Sequence, residues 1–128
     1  MKFNYADEAF ETEFEFGKLT ISGDEEKGFR PFQLMVSSIA VCGGSVLRKV
    51  LVKQRMEVSG LQIEAEVTRD PERANRLTEI RLHYIIEGEQ LVESKVAKAV
   101  ELASKNCPMA QTVIDCVNIE ETFEIRKN

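Results

Sequence analysis

Tryptophan is missing from this 128-residue chain, and proline, cysteine and histidine are scarce, at three, three and one. So little proline, with only seven glycines, excludes collagen-like and proline-rich disordered chains. Cationic blocks are missing too. Seventeen Lys and Arg stand against twenty-two Asp and Glu, a net charge of −5, so no patch of cations is available to release counterions from a phosphate backbone. A nucleic-acid partner is not expected. Long apolar runs are also wanting: in the most hydrophobic region the uninterrupted run is Ile39 to Cys42, and Arg48 and Lys49 follow within two turns. No membrane span or membrane partner is expected from that pattern. The first sixteen residues carry five acidic side chains and no apolar stretch, which is unlike a signal peptide. The expected compartment is the cytoplasm, where thiols stay reduced. An odd set of cysteines, Cys42, Cys107 and Cys116, does not make a disulfide framework. Zinc needs ligands a few residues apart, whereas these cysteines are separated by 65 and 9, so no metal is expected. Glycine-rich phosphate loops and the G-x-S-x-G nucleophile turn are absent, and no cofactor is implied.

What remains is globular: 43 % apolar and 30 % charged, at a length suited to a single domain over 1–128. Phe10, Thr12, Phe14 and Phe16 alternate with glutamates, and Leu19 and Ile21 resume after Gly17-Lys18, which predicts a hairpin with one aromatic face. Asp24 to Gly28 reads as a polar loop. Pro31 suits the first turn of a helix, and twelve of the twenty residues from Phe32 to Leu51 are apolar. Met35, Ile39, Cys42, Val46 and Val50 make one stripe, while Leu34, Val36, Val41, Leu47 and Leu51 spread beyond it. A helix apolar over most of its circumference is expected to be central and buried. The pair Gly43-Gly44 weakens it and signals close approach of another backbone or a ligand.

Leu61, Ile63, Ala65 and Val67, then Ile80, Leu82, Tyr84 and Ile86, predict an antiparallel hairpin around the turn Asp70 to Arg76. A second helix is expected from about Gln90 to Lys105, with Val92, Val96, Ala99, Val100 and Ala103 inward and Asn106, a residue type that tolerates the left-handed conformation, ending it. Pro108 opens a short third helix, and Val117, Ile119, Phe123 and Ile125 close the chain as a strand. The expected class is α+β in the order β-β-α-β-β-α-α-β. One small sheet covers only one face of the long helix. A second copy of the chain is the simpler source of the remaining cover, and the two other helices are the alternative.

Cys42 lies on the apolar stripe. A small buried hydrophobe and a reactive thiol beside the space of Gly43-Gly44 are both compatible with that position. Cys107, directly before Pro108, sits where a thiolate would face unpaired N–H groups at the start of a helix, which favours ionisation. Inert packing is its other reading. Cys116 is expected to pack, and His83 alternates with Arg81 onto the polar face of its strand.

The stretch Arg30-Pro31-Phe32-Gln33-Leu34, Cys42 eleven residues after Pro31, and Asn106-Cys107-Pro108-Met109 sixty-five residues further on resemble the OsmC/Ohr family, the osmotically inducible and organic hydroperoxide resistance proteins. The likeness runs from about residue 28 to 125 and includes the order of elements. It implies an intertwined homodimer and a thiol-dependent reductase of organic hydroperoxides. By that resemblance Cys42 is the peroxidatic thiol, Cys107 the resolving one, and an external dithiol reduces the resulting disulfide. Two features depart from the family's peroxidases. Phe32, followed by Gln33, stands where they have a glutamate, and no arginine precedes Arg30. A cation for the thiolate must then come from Arg30 or Lys18, with Arg30 preferred for its planar, always-charged fork. Phe32, Gln33, Met35 and Ile39 are the candidate substrate-pocket residues. A redox sensor or small-ligand binding module on the same fold is the alternative function. A dimer is expected in solution, and sedimentation that finds a stable, folded 14.5 kDa monomer at micromolar concentration would exclude it.

Overall fold

The computed structural model describes residues Met1–Lys127, which fall into two compact units, Met1–Ser37 and the chain from Ser38 onward. Helix α1, Pro31–Lys53, begins in the first and ends in the second.

The first unit holds β1 (Asn4–Ala6), β2 (Ala9–Glu13) and β3 (Lys18–Ile21), an antiparallel sheet in that order. Strand β1 escapes the periodicity because it is three residues long and its turn is Asp7-Glu8, both at positive φ without the Asn-Gly that announces such a hairpin. Tyr5 and Phe10 meet edge to face across it, 5.3 Å between ring centres. The sequence pattern carries the next strand through Phe16, but β2 ends at Glu13. Phe14 and Gly17 exchange backbone hydrogen bonds of 3.0 and 3.1 Å, which leaves Phe16 at the tip of a tight turn, fully exposed. After β3 the polar loop folds back, with Phe29 N–H on the Thr20 carbonyl at 2.9 Å.

The second unit is built on β4 (Gly60–Asp70), β5 (Arg76–Glu87) and β6 (Asn118–Arg126), with β5 in the middle. The predicted hairpin is β4 and β5, antiparallel with a register shift at Thr68/Arg69, while β6 runs parallel to β5. The single sheet expected from the sequence is thus two sheets of three strands, because β1, β2 and β3 pair among themselves and β4, β5 and β6 among themselves. Ile80, Leu82, Tyr84 and Ile86 share the covered face of β5, and Arg81 and His83 the other. Helix α2, Glu93–Asn106, turns Val96, Ala99, Val100 and Ala103 inward, as its spacing predicts. Val92 is the residue before the first turn and stays exposed. Asn106 is the last helical residue and is not left-handed. The break comes from Cys107, extended because Pro108 follows it, and Pro108–Val113 forms α3.

Within the second unit α1 buries Ile39, Ala40, Gly43, Gly44, Leu47 and Leu51, a line rotated from the predicted stripe. Cys42, Val46 and Val50 flank it, half-buried, and Met35 is exposed. Leu47 and Leu51, wholly buried, each contribute about 1.5–3 kcal/mol of transfer free energy. The helix is not covered all round as expected: Val41 is 62 % and Val52 52 % exposed. It is long and apolar enough to cross a bilayer by length and composition, yet one side of it belongs to the core of this unit, and Arg48 and Lys49 are exposed.

Candidate functional site

Three elements of the second unit bring polar side chains near enough to influence one another. Helix α1 supplies Cys42, the start of α3 supplies Cys107, and β5 supplies Tyr84. The glycines of α1 make the approach feasible. A Cβ on Gly43 would lie 2.7 Å from the Tyr84 hydroxyl, and one on Gly44 would collide with the Ile63 side chain of β4. The glycine pair therefore admits two side chains of the sheet, where the sequence suggests a backbone or a ligand.

The two thiols predicted to act together are near enough to influence each other, Cys42 being among the groups that raise the Cys107 thiol. They differ in environment. Cys42 is half-buried, and Cys107 is only 1 % exposed. The Cys107 sulfur accepts the Ala110 N–H at 3.4 Å, capping α3, and its S–H points to the Ile39 carbonyl at 4.0 Å. The sequence reading has the helix start drawing this thiol toward ionisation. The structure reverses the direction: burial pushes Cys107 above its ordinary range, and the neighbouring Cys42 thiol adds to that. The Ala110 and Met109 N–H groups oppose the shift without overcoming it. An amide cap on a short helix offsets only part of the cost of removing a thiolate from water.

Tyr84 was not among the residues singled out, since in sequence it is one more large side chain on an alternating strand. It is 0 % exposed, and its hydroxyl donates to Glu121 Oε2 at 2.8 Å. Burial is the main reason its phenol holds its proton far more tightly than usual. The Glu121 carboxylate and the negative forms of Cys107 and Cys42 reinforce it. Glu121 did leave a trace in the sequence. Ile119, Glu121, Phe123 and Ile125 pair in register with Ile80, Leu82, Tyr84 and Ile86, so Glu121 occupies an inward position where an apolar residue is due.

The other candidates lie elsewhere. Lys18, on β3, is paired with Glu11 at 3.0 Å. Arg30 meets Glu25 at 3.8 Å and stacks over Phe32 at 4.9 Å, and its buried Nε has no hydrogen-bond partner. Both cations belong to the first unit, as do Phe32, Gln33 and Met35, whereas the thiols belong to the second. Ile39 is 2 % exposed and is a core residue rather than a pocket wall. Cys116 is exposed, not packed, because the chain turns outward after α3 with its N–H on the Val113 carbonyl. His83 sits on the face of β5 opposite Tyr84, held by Thr122 at 2.7 Å and Glu124 at 3.0 Å.

Comparison with known proteins gives the arrangement a context. The family described as OsmC-like protein matches residues 23–122. Protein YhfA of Escherichia coli K12 is 30 % identical over 105 residues, which span 81 % of this chain and 77 % of that protein. Among solved structures, a hypothetical protein from Aquifex aeolicus VF5 superposes with a TM-score of 0.89 at 22 % identity, covering 99 % of this chain and 95 % of that one. An organic hydroperoxide resistance protein from Legionella pneumophila gives 0.74 at 20 % identity, covering 96 % and 93 %.

Cys107 and Tyr84 both hold protons more tightly folded than unfolded. Their contribution to stability is therefore whole below the ordinary thiol range and is lost as pH climbs through it and beyond. Denaturant unfolding at a series of pH values should show stability falling above about pH 9, the ordinary thiol value. The fall should be shallower in Cys107→Ala. Equal slopes in the two proteins would contradict this assignment.

Proposed function

This chain belongs to the OsmC-like family, and on that premise we propose that it is a thiol-dependent reductase of organic hydroperoxides, the whole chain acting as one domain of a homodimer. The observation that carries the reading is the neighbouring pair Cys42 and Cys107, with one thiol half-buried and the other closed off. That asymmetry fits a division of labour. The accessible thiolate attacks the O–O bond, an alcohol leaves, and the sulfur becomes a sulfenic acid. The sheltered thiol then condenses with the sulfenic acid, water leaves, and a disulfide remains for an external dithiol to reduce. The apolar residues beside Cys42 on α1 favour an organic peroxide over hydrogen peroxide. Arg30 is the cation we assign to the Cys42 thiolate in place of the family's arginine. Its contact with Glu25 is long and readily exchanged, whereas Lys18 is held closely by Glu11. The bare Val41 and Val52 on α1 support a second copy of the chain as the missing cover.

Steady-state consumption of cumene hydroperoxide with a dithiol donor tests the reading. Wild type should turn over, Cys42→Ser should be inactive, and Arg30→Ala should be slower by about tenfold, the equivalent of one unit of thiol pKa. A wild-type protein that consumes no peroxide would leave the sensor or ligand-binding alternative in its place.

A further inference from the structure

The inward line of β6 is Ile119, Glu121, Phe123 and Ile125, apolar except for one carboxylate. Glu121 is half-buried, and the Tyr84 hydroxyl donates to its Oε2 at 2.8 Å. A neutral glutamine would accept that bond with a smaller desolvation cost, so the tyrosine alone does not account for a charge at this position. Among the described residues no cation pairs with Glu121, and its Oε1 has no hydrogen-bond partner. Lys105 lines the same groove but is engaged by Glu101, one turn earlier on α2, at 3.2 Å. The carboxylate is fixed by one buried donor and left uncompensated on its other oxygen.

Glu121 opens onto a groove of about 460 Å³ between α2, α3 and β6, all within the second unit. Pockets for small molecules run from about 300 to 1,000 Å³. Exposed Ile114 and half-buried Phe123 give the groove an apolar wall. Its second polar group is also an acceptor. The Gln111 Nε2–H donates to the Ser104 carbonyl at 3.2 Å, which leaves the amide oxygen of Gln111 free to accept. An ammonium group brings three donors and a positive charge, and an aromatic ring such as Phe123 attracts a cation held over its face. From this geometry we infer that the groove is a binding site for a small organic cation, an ammonium group carried on an apolar body. The ammonium is held by the free oxygen of Glu121 and the amide oxygen of Gln111, and the apolar body lies along Ile114 and Phe123. The site is separate from the thiol chemistry proposed above and does not depend on it.

Titration of the full-length protein with benzylamine at neutral pH, followed by calorimetry and by ligand-observed NMR, tests the site. Benzyl alcohol is the control, with nearly the same shape and no charge. Benzylammonium should bind saturably and at least tenfold more tightly than benzyl alcohol, because a hydrogen bond to a charged group is worth more than a neutral one. Glu121→Gln keeps an acceptor for the Tyr84 hydroxyl and should weaken benzylammonium about tenfold or more while leaving benzyl alcohol unchanged. Phe123→Ala should weaken both probes. Equal affinity of wild type for the two probes would overturn the inference, and that comparison needs no variant to fold. Benzylammonium binding that survives Glu121→Gln, or no saturable binding at all, would overturn it too. So would a loss of dimer in Glu121→Gln without any change in benzylammonium affinity, since the carboxylate would then serve a cation of a second copy.

Discussion

The close passage of Tyr84 over Gly43 is the contact on which the site depends. A helix with an ordinary side chain at position 43 could not come so near to β5, since its Cβ would sit 2.7 Å from the tyrosine oxygen. With glycine there, α1 settles onto the sheet and brings Cys42 near enough to Cys107, at the start of α3, to raise its thiol. Gly43 and Gly44 each weaken a helix by about 1 kcal/mol relative to alanine. That loss is offset by the burial of Ile39, Leu47 and Leu51 on the same side of α1, each contributing about 1.5–3 kcal/mol.

The same approach explains why the site is chemically uneven. Of the two thiols, the phenol and the carboxylate gathered there, Cys107 and Tyr84 are shut off from water. In such a space every charged form is penalised unless it finds a partner. Cys107 gains an N–H from Ala110 but loses more through burial, so it rests as a thiol, and Tyr84 rests as a phenol for the same reason. Cys42, nearer the surface, is the thiol that an outside molecule can reach. On the proposed reading a peroxidatic cysteine must meet substrate and a resolving one must wait, and the unequal exposure of the two thiols supports that division.

Much of this was legible in the sequence. Pro31 and Pro108 mark two helix starts, the alternation of Leu61–Val67 and Ile80–Ile86 gives the long hairpin, and the spacing of Cys42 and Cys107 within that order carried the family resemblance. Other features depended on contacts between distant segments, which no local pattern records. The parallel pairing of β6 with β5 is one such case, and the division of one expected sheet into two is a second. The direction of the Cys107 shift is another, because the helix start is visible in Cys-Pro but the burial that outweighs it is not. Cys116, between a short helix and the last strand with no helix start beside it, reads as packing and is exposed, since its place in the element order says nothing about the path of the turn. Glu121 stands between these extremes. Its charge in an apolar register could be read from the sequence, but its meaning required Tyr84 at 2.8 Å.

The central claim is that Cys42 and Cys107 act as a redox couple. Peptide mapping after exposure to one equivalent of an organic hydroperoxide, without a reductant, tests it most directly. The account predicts a linked peptide containing Cys42 and Cys107 within one chain, with Cys116 still alkylatable. Oxidation at the exposed Cys116 while Cys42 and Cys107 remain reduced would contradict it.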